Sequence, residues 1–284
     1  MLRDRPVLPR RGFLTLGALG ATAAGWTVLA GCSSPTVAAA PGPKDLTDPA
    51  RRHVAEAVIS TFENSTVELP YAAAQRLDDG RGITAGRAGF TSGTHDLLLV
   101  VQRYEQIAGG PTPLSKYLPA LRTIDRQVQD GNDGSSTKGL GGFEEVWRST
   151  SQTDPRLNQA QDAVYDDLYF RPAMDRARAA GVTTALGQLC LLDTGIQHGV
   201  GTGPDDLPAL MTETGPQAAD APAWLRRFLE VRRQHLEHPA YEETAEVWQE
   251  SLPRVDTLEA LIDQQRFDLA TPISWTFAGQ SFQV

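Results

Sequence analysis

Val54, Val58 and Phe62 recur at helical spacing, with Ala55 and Ile59 beside them. Asp48-Pro49 stands just before them, an N-cap followed by proline at the first helical position. The pattern predicts a helix that ends at Glu63, because Asn64-Ser65 reads as a turn. A short helical piece is expected over 68–74, leading into the turn Asp78-Asp79-Gly80-Arg81-Gly82. Ile83 to Phe90 is the best strand candidate, with Gly82, Gly86 and Gly89 permitting tight turns or close backbone approach. A second amphipathic helix follows from about Thr94, its apolar face made by Leu97, Leu98, Val101, Tyr104 and Ile107. Gly109-Gly110 stops it.

Beyond that, Leu114 to Val128 predicts a helix, and the glycine-rich stretch 131–142 a surface loop. Leu157 to Phe170 and Pro172 to Ala180 read as two helical pieces broken at the proline. Thr183 to Gln197 is apolar nearly all round, which marks a buried central helix. Helices over 223–236 and 242–267, interrupted at Pro239 and Pro253, complete a C-terminal half expected to be helical throughout. The implied fold is α+β and mostly α: a small Gly-rich β-hairpin lobe against a large helical lobe, with a cleft between them.

The N-terminus reads as an address. Arg10-Arg11 precedes Gly12-Phe13-Leu14, and a run of small and apolar residues extends to Leu29-Ala30-Gly31-Cys32. This describes a signal peptide over 1–31, with paired arginines that suggest the twin-arginine route. Leu29-Ala30-Gly31-Cys32 resembles a bacterial lipobox, in which Cys32 is lipidated and becomes the new N-terminus. An apolar stretch of about 18 residues, diluted by Gly and Thr, is short for a membrane span. Residues 32–44 then form a Ser/Pro/Ala-rich tether, and some 240 residues from Asp45 onward suffice for one large catalytic domain. The expected location is extracytoplasmic, either lipid-anchored through Cys32 or released.

The net charge is −9; residues 1–31 carry four arginines and one aspartate, so the remainder is about −12. Such a surface disfavours nucleic acid and anionic membrane and favours cationic ligands. Cys190 is the only cysteine after Cys32 and lies in an apolar run, so a buried, inert thiol is expected rather than a disulfide. The five histidines are scattered and the carboxylates lack calcium-loop spacing, so no metal site and no cofactor are expected. No Gly-x-Ser-x-Gly elbow and no phosphate-binding or dinucleotide loop occurs.

Glu63, Asp79, Asp193 and His198 carry candidate chemistry, and each has a plainer explanation. Glu63 ends a helix, where the dipole disfavours a carboxylate, yet any single Glu is most often a solvated surface residue. Asp79 sits in Asp-Gly-Arg-Gly, where an aspartate commonly hydrogen-bonds its own turn. Thr84, on the expected strand, could orient a water. Asp193 interrupts the apolar run Leu186 to Leu192, so it must be paired, and Arg232 or Arg254 could pair with it. A structural ion pair and a catalytic support role are equally compatible with that position. His198, at the end of the central helix, reads as a satisfied cap more readily than as a ligand or base.

Glu63-Asn64-Ser65, Asp79-Gly80-Arg81-Gly82-Ile83-Thr84-Ala85-Gly86 and Gly89-Phe90-Thr91-Ser92-Gly93-Thr94-His95-Asp96 together resemble the N-terminal lobe of glycoside hydrolase family 46, the chitosanases. The likeness continues through Lys116-Tyr117-Leu118-Pro119-Ala120-Leu121, Leu186-Gly187-Gln188, Asp193, His198-Gly199 and Arg254-Val255-Asp256-Thr257. The resemblance implies a two-lobed, lysozyme-like fold and endo-hydrolysis of β-1,4-linked glucosamine with inversion. It implies Glu63 as general acid, Asp79 as general base and Thr84 as a holder of the attacking water. Asp193, Arg232 and Arg254 fall in a charged network supporting the acid; Arg81, Asp96 and His198 match sugar-subsite positions. The implied partner is chitosan, a polycation that suits the acidic balance, and the chain is expected to be a monomer. A catalytically dead, lipid-anchored glycan binder and a lysozyme-like hydrolase of peptidoglycan are the competing readings.

Overall fold

The computed structural model describes residues 44–77, 79–217, 221–241 and 245–284. The expected signal peptide, Cys32 and all of the tether but Lys44 lie outside the described residues. Helix α1 (Pro49–Asn64) begins where the cap predicts, with the Asp48 carboxylate accepting from the Ala50 and Arg51 amides. It stops at Ser65, which adopts a left-handed conformation (φ 55°). The short helix expected over 68–74 is absent. Pro70 holds Leu69 out of the helical region, and the chain turns at Tyr71 before entering strand β1 (Ala74–Arg76).

The expected strand 83–90 is a tight hairpin instead. Strands β2 (Ile83–Ala85) and β3 (Phe90–Thr91) pair antiparallel across the turn 86–89, and β1 pairs antiparallel with β2. Gly86 has φ +75°, and a Cβ there would fall 2.3 Å from the Gln161 Oε1. The turn is therefore pressed directly onto the helix that carries Gln161.

Helix α2 (Asp96–Ala108) ends at Gly109 as predicted, but Ile107 from its expected apolar face is 38% exposed. A 3₁₀ turn (Ser115–Tyr117) leads into α3 (Leu118–Gln129). Helix α4 (Phe143–Thr153) was not foreseen; its glutamates and serines mask a face formed by Phe143 and Trp147, both fully buried. Helix α5 (Pro155–Tyr165) does not stop at Pro172. A π-helical turn (Asp166–Phe170) joins it to α6 (Arg171–Ala179), so the proline sits at the second position of a new helix rather than breaking an old one.

Helix α7 (Ala185–His198) is buried along its whole length. It touches α1, α6, α8 (Leu207–Thr214), α9 (Ala221–Glu237) and α11 (Leu252–Asp263), while α10 (Ala245–Gln249) packs on α9. The other group of elements is the three-stranded sheet with α2 to α5, where α4 packs on β1 and β2, and α2 on α5. One core cluster runs through both groups. The C-terminus is not helical: β4 (Ser274–Phe277) and β5 (Gln280–Gln283) form a second hairpin. Trp275, Phe277 and Phe282 alternate with polar residues around Ala278-Gly279, the period of a strand pair. Among the described residues no helix is long and apolar enough to cross a membrane.

Candidate active site

Glu63 lies in the last turn of α1 with its side chain 13% exposed, and its Oε1 is in close contact with Nη2 of Arg254. Arg254, in the first turn of α11, turns its Nη1 to Asp193 Oδ1 at 3.2 Å. Asp193 is fully buried on α7, and its Oδ2 lies 2.7 Å from Nη2 of Arg232, also fully buried, on α9. The same Nη2 donates to the side-chain oxygen of Gln197. The four groups thus alternate in sign, and four helices meet through them. Burial opposes the charge on Arg254, but the carboxylates of Glu63 and Asp193 outweigh it and hold its pKa above the usual arginine value. Arg232 is deeper; there burial wins over Asp193 and pulls its pKa down.

The hairpin β4–β5 buttresses both ends of the Glu63–Arg254 pair. Trp275 donates its indole N–H to Thr61 Oγ1 at 3.0 Å, and Phe277 packs on Phe62 with ring centroids 4.9 Å apart. Phe62 also lies under the Arg254 guanidinium, 5.5 Å from its centroid. Thr257, one turn after Arg254, donates to the Thr276 carbonyl at 2.8 Å. Sequence reasoning missed these residues, although the apolar alternation at the C-terminus carried the signal.

Asp79 stands in the loop before β2. Its Oδ1 accepts from the Arg81 amide at 3.1 Å, and its Oδ2 from Nε and Nη2 of Arg81 at 2.9 and 2.7 Å. Left-handed Gly80 (φ +77°) permits so tight a fold-back. The loop is tied down beyond it. The Arg81 carbonyl accepts from the Gly93 amide at 3.1 Å, and the backbone of Gly93 packs so closely on Gly134 that a Cβ would sit 2.5 Å from the Gly134 oxygen. Thr84, at the centre of β2, is buried and its hydroxyl has no protein hydrogen-bond partner. Two carboxylates on separate elements, each gripped by an arginine, are thus built by independent means.

A family profile, glycosyl hydrolase family 46, matches residues 57–273. The chain is 42% identical over 226 residues to a chitosanase of Bacillus subtilis (strain 168), covering 77% of this chain and 79% of that one. The chain belongs to this family. A chitosanase of Nocardioides sp. (strain N106) is 33% identical over 268 residues, covering 88% of this chain and 90% of the other. Among solved structures, the native chitosanase of Bacillus subtilis MY002 superposes with a TM-score of 0.74 at 39% identity, covering 84% of this chain and 99% of its own. The family 46 chitosanase of Gynuella sunshinyii in complex with chitotetraose gives 0.72 at 43% identity, covering 82% and 97%.

Other family positions lie deeper than a sugar-lined surface suggests. Asp96 is buried at the start of α2, where its Oδ1 accepts from the Thr91 amide at 2.7 Å and the Thr94 hydroxyl at 2.9 Å. His198 is buried at the end of α7, with Nδ1 3.0 Å from the Asp205 carbonyl and the ring edge-on to Trp248. Burial, aided by the charge of Arg232, holds His198 neutral and its pKa well below the ordinary value. Arg81 is itself buried, with Nε and Nη2 engaged by Asp79. Cys190 is fully buried, and burial pushes its thiol pKa up, as expected of an inert core cysteine. Among the described residues no group of three His, Cys, Asp or Glu is arranged to hold a metal ion.

The loop that holds His198 is itself latched. His235 on α9 sets Nδ1 2.7 Å from Asp205 Oδ1 and Nε2 2.9 Å from Glu213 on α8, while the other Asp205 oxygen accepts from the Ala240 amide at 2.9 Å. Burial opposes its protonation, but hydrogen bonds to Glu213 and Asp205 prevail and raise its pKa.

Two outcomes follow from this site. Replacing Asp193 with Asn leaves Arg232 buried without its counter-charge, and unfolding free energy should fall by about 3–5 kcal/mol in denaturant titrations. For His235 the folded pKa lies above the unfolded one. Its stabilisation is therefore complete below the ordinary histidine value of about 6.5 and lost as pH rises through the folded value. Thermal unfolding scanned against pH should show that decline, and His235→Gln should remove it.

Proposed function

We propose that the chain is an endo-acting chitosanase that hydrolyses β-1,4 bonds between glucosamine units with inversion. The observation that carries this reading is the pair of arginine-held carboxylates, Glu63 on Arg254 and Asp79 on Arg81, in a chain 42% identical to a chitosanase. Support for the substrate comes from its relatives: each of those described is a chitosanase, and one was solved with chitotetraose. The net charge of −9 suits a polymer that carries an ammonium group on each sugar.

In this reading Glu63 gives its proton to the leaving glycosidic oxygen. Arg254 is the cation that receives the negative charge left on it. Asp79 takes a proton from a water molecule as that water attacks the anomeric carbon from the opposite face. Inversion requires room for the water, commonly a carboxyl separation of roughly 6.5–9.5 Å. The unpartnered hydroxyl of Thr84 is the group to orient that water, and Arg81, Asp96 and His198 shape the sugar subsites around it. Every proton is accounted for by the two carboxyl groups, so the step needs no cofactor.

We also assign residues 1–31 to export and Cys32 to lipid attachment, which places the enzyme outside the cytoplasm, where chitosan is met. Cys32→Ser should move the protein from the membrane fraction to the medium; unchanged partition would refute the anchor.

The catalytic assignment is tested by reducing-end release from chitosan, chitin and peptidoglycan. Glu63→Gln and Asp79→Asn should each lower kcat on chitosan by about 10²–10⁴-fold, and NMR should show the α-anomer as the first product. Full activity of both variants, or a β-anomer product, would overturn it.

A further inference from the structure

Arg87 sits in the turn between β2 and β3, three residues after Thr84, yet its side chain is only 3% exposed. It reaches out of the sheet to two helices at once. Nη2 lies 3.0 Å from Glu56 Oε2 on α1, and Nη1 is in close contact with Asp162 Oδ1 on α5. Its backbone amide donates to Gln161 Oε1 at 3.0 Å, also on α5. The guanidinium is sandwiched as well, 4.3 Å from the Tyr165 ring centroid and 5.6 Å from that of Tyr71. The Tyr71 hydroxyl closes the cluster by donating to Asp162 at 2.7 Å. Burial alone would depress the Arg87 pKa; the charge of Glu56 reverses that and holds the guanidinium protonated.

Glu56 is seven residues before Glu63, two turns along the same face of α1. Glu56, Glu63 and Arg87 line one narrow crevice, together with Ala88, Tyr165 and Ile196. The hairpin that begins just after Asp79 and contains Thr84 is therefore bolted to the face of α1 that ends in Glu63. Glu56 is held from its other side by Nε of Arg52 at 2.9 Å, and Arg52 in turn pairs with Asp166 in the π-helical turn. The cluster spans α1, the β2–β3 turn, α5 and the π-helical turn, and its ion pairs are separate from the Glu63–Arg254–Asp193–Arg232 chain.

We propose that Arg87 is the positioning residue that sets the separation of Glu63 from Asp79 and the water site at Thr84, and so the gap across which the water attacks. The inference rests on the reading of Glu63 and Asp79 as acid and base. A planar fork is suited to this role because it binds two carboxylates in fixed directions and is clamped between two rings, whereas a lysine is a point charge on a flexible stem. Displacement of a reacting group by about 1 Å can cost about 100-fold in rate. Loss of the clamp therefore acts on the chemical step and leaves sugar binding largely intact.

Steady-state kinetics on glucosamine oligomers test it, with circular dichroism and Tm to establish folding. Arg87→Gln should lower kcat by about 10–100-fold with KM within about two-fold of the native value, and Arg87→Lys should recover part of the loss. Asp162→Asn removes one arm of the clamp at a half-exposed position, and it should reproduce the split in kcat against KM even where Arg87→Gln does not fold. A folded Arg87→Gln, or failing that Asp162→Asn, with kcat within two-fold of native overturns the proposal. A rise in KM with kcat unchanged does so too, because it would make Arg87 a substrate contact. Glu63→Gln and Asp79→Asn are run alongside. If these stay active the acid–base reading has failed; if they are dead while Arg87→Gln is not, only the clamp has.

Discussion

Asp193 in the middle of an otherwise apolar helix is the constraint from which the site is organised. A lone carboxylate there would cost several kcal/mol, so helix α7 can be buried on all sides only if cations are brought to it. Arg232 comes from α9 and Arg254 from α11, and the packing of those helices on α7 is therefore registered by charge as well as by side-chain shape. Arg254 has a fork to spare, and the spare branch meets Glu63. The Glu63 carboxylate at the end of α1 is thus held by a residue whose own place is fixed two helices away. Hydrophobic packing alone tolerates sliding; an alternating row of four charges, three of them buried, does not.

Asp79, the proposed base, is secured on different principles. Asp79 folds back on its near neighbour Arg81, a contact that needs only a glycine turn, and its loop is fixed in space by the close approach of Gly93 to Gly134. Local hydrogen bonds settle the conformation of the loop, and backbone packing settles its position. With Glu63 set by long-range ion pairs and Asp79 by short-range ones, the relation between the proposed acid and base depends on whatever joins α1 to the hairpin. The contacts of Arg87 with Glu56 and Asp162 make that junction.

How far this was legible in the sequence follows the same division. Helix α1 with its Asp48 cap, helix α2 with its Gly109 stop and the wholly buried α7 could be read because each is announced by neighbouring residues. The conflict of Asp193 with its apolar surroundings predicted partners, and both arginines named for it are the ones it meets. What escaped was non-local or disguised. Helix α4 hides a two-residue apolar face, Phe143 and Trp147, among polar residues. Pro172 reads as a break when a π-helical turn absorbs it. Arg87 looks like one more surface arginine in a glycine turn, since nothing nearby in sequence reveals Glu56 or Asp162. The sugar-subsite residues taken from the family likeness sit deeper than that likeness conveys, because Asp96 and His198 also hold loops in place.

The charge of the whole chain and the charge of its site have opposite characters, and the difference separates capture from chemistry. An acidic surface attracts a polycation over distances of about a Debye length, roughly 8–10 Å in physiological salt. At the carboxylates themselves that attraction is nearly spent: Glu63 and Asp193 are matched by Arg254 and Arg232, and Asp79 by Arg81. Where these carboxylates are all ionised, an ammonium-bearing sugar drawn in by the surface meets a locally neutral centre; the protonated Glu63 that the proposed reaction needs makes that centre more positive still. Had the Glu63 and Asp79 carboxylates stood bare, they would themselves have attracted ammonium groups. A sugar nitrogen would then compete with the glycosidic oxygen for Glu63 and with the water for Asp79. The arginines remove that competition, and they do so with groups that stay charged at any pH the enzyme meets. The steering falls to exposed acids elsewhere on the surface.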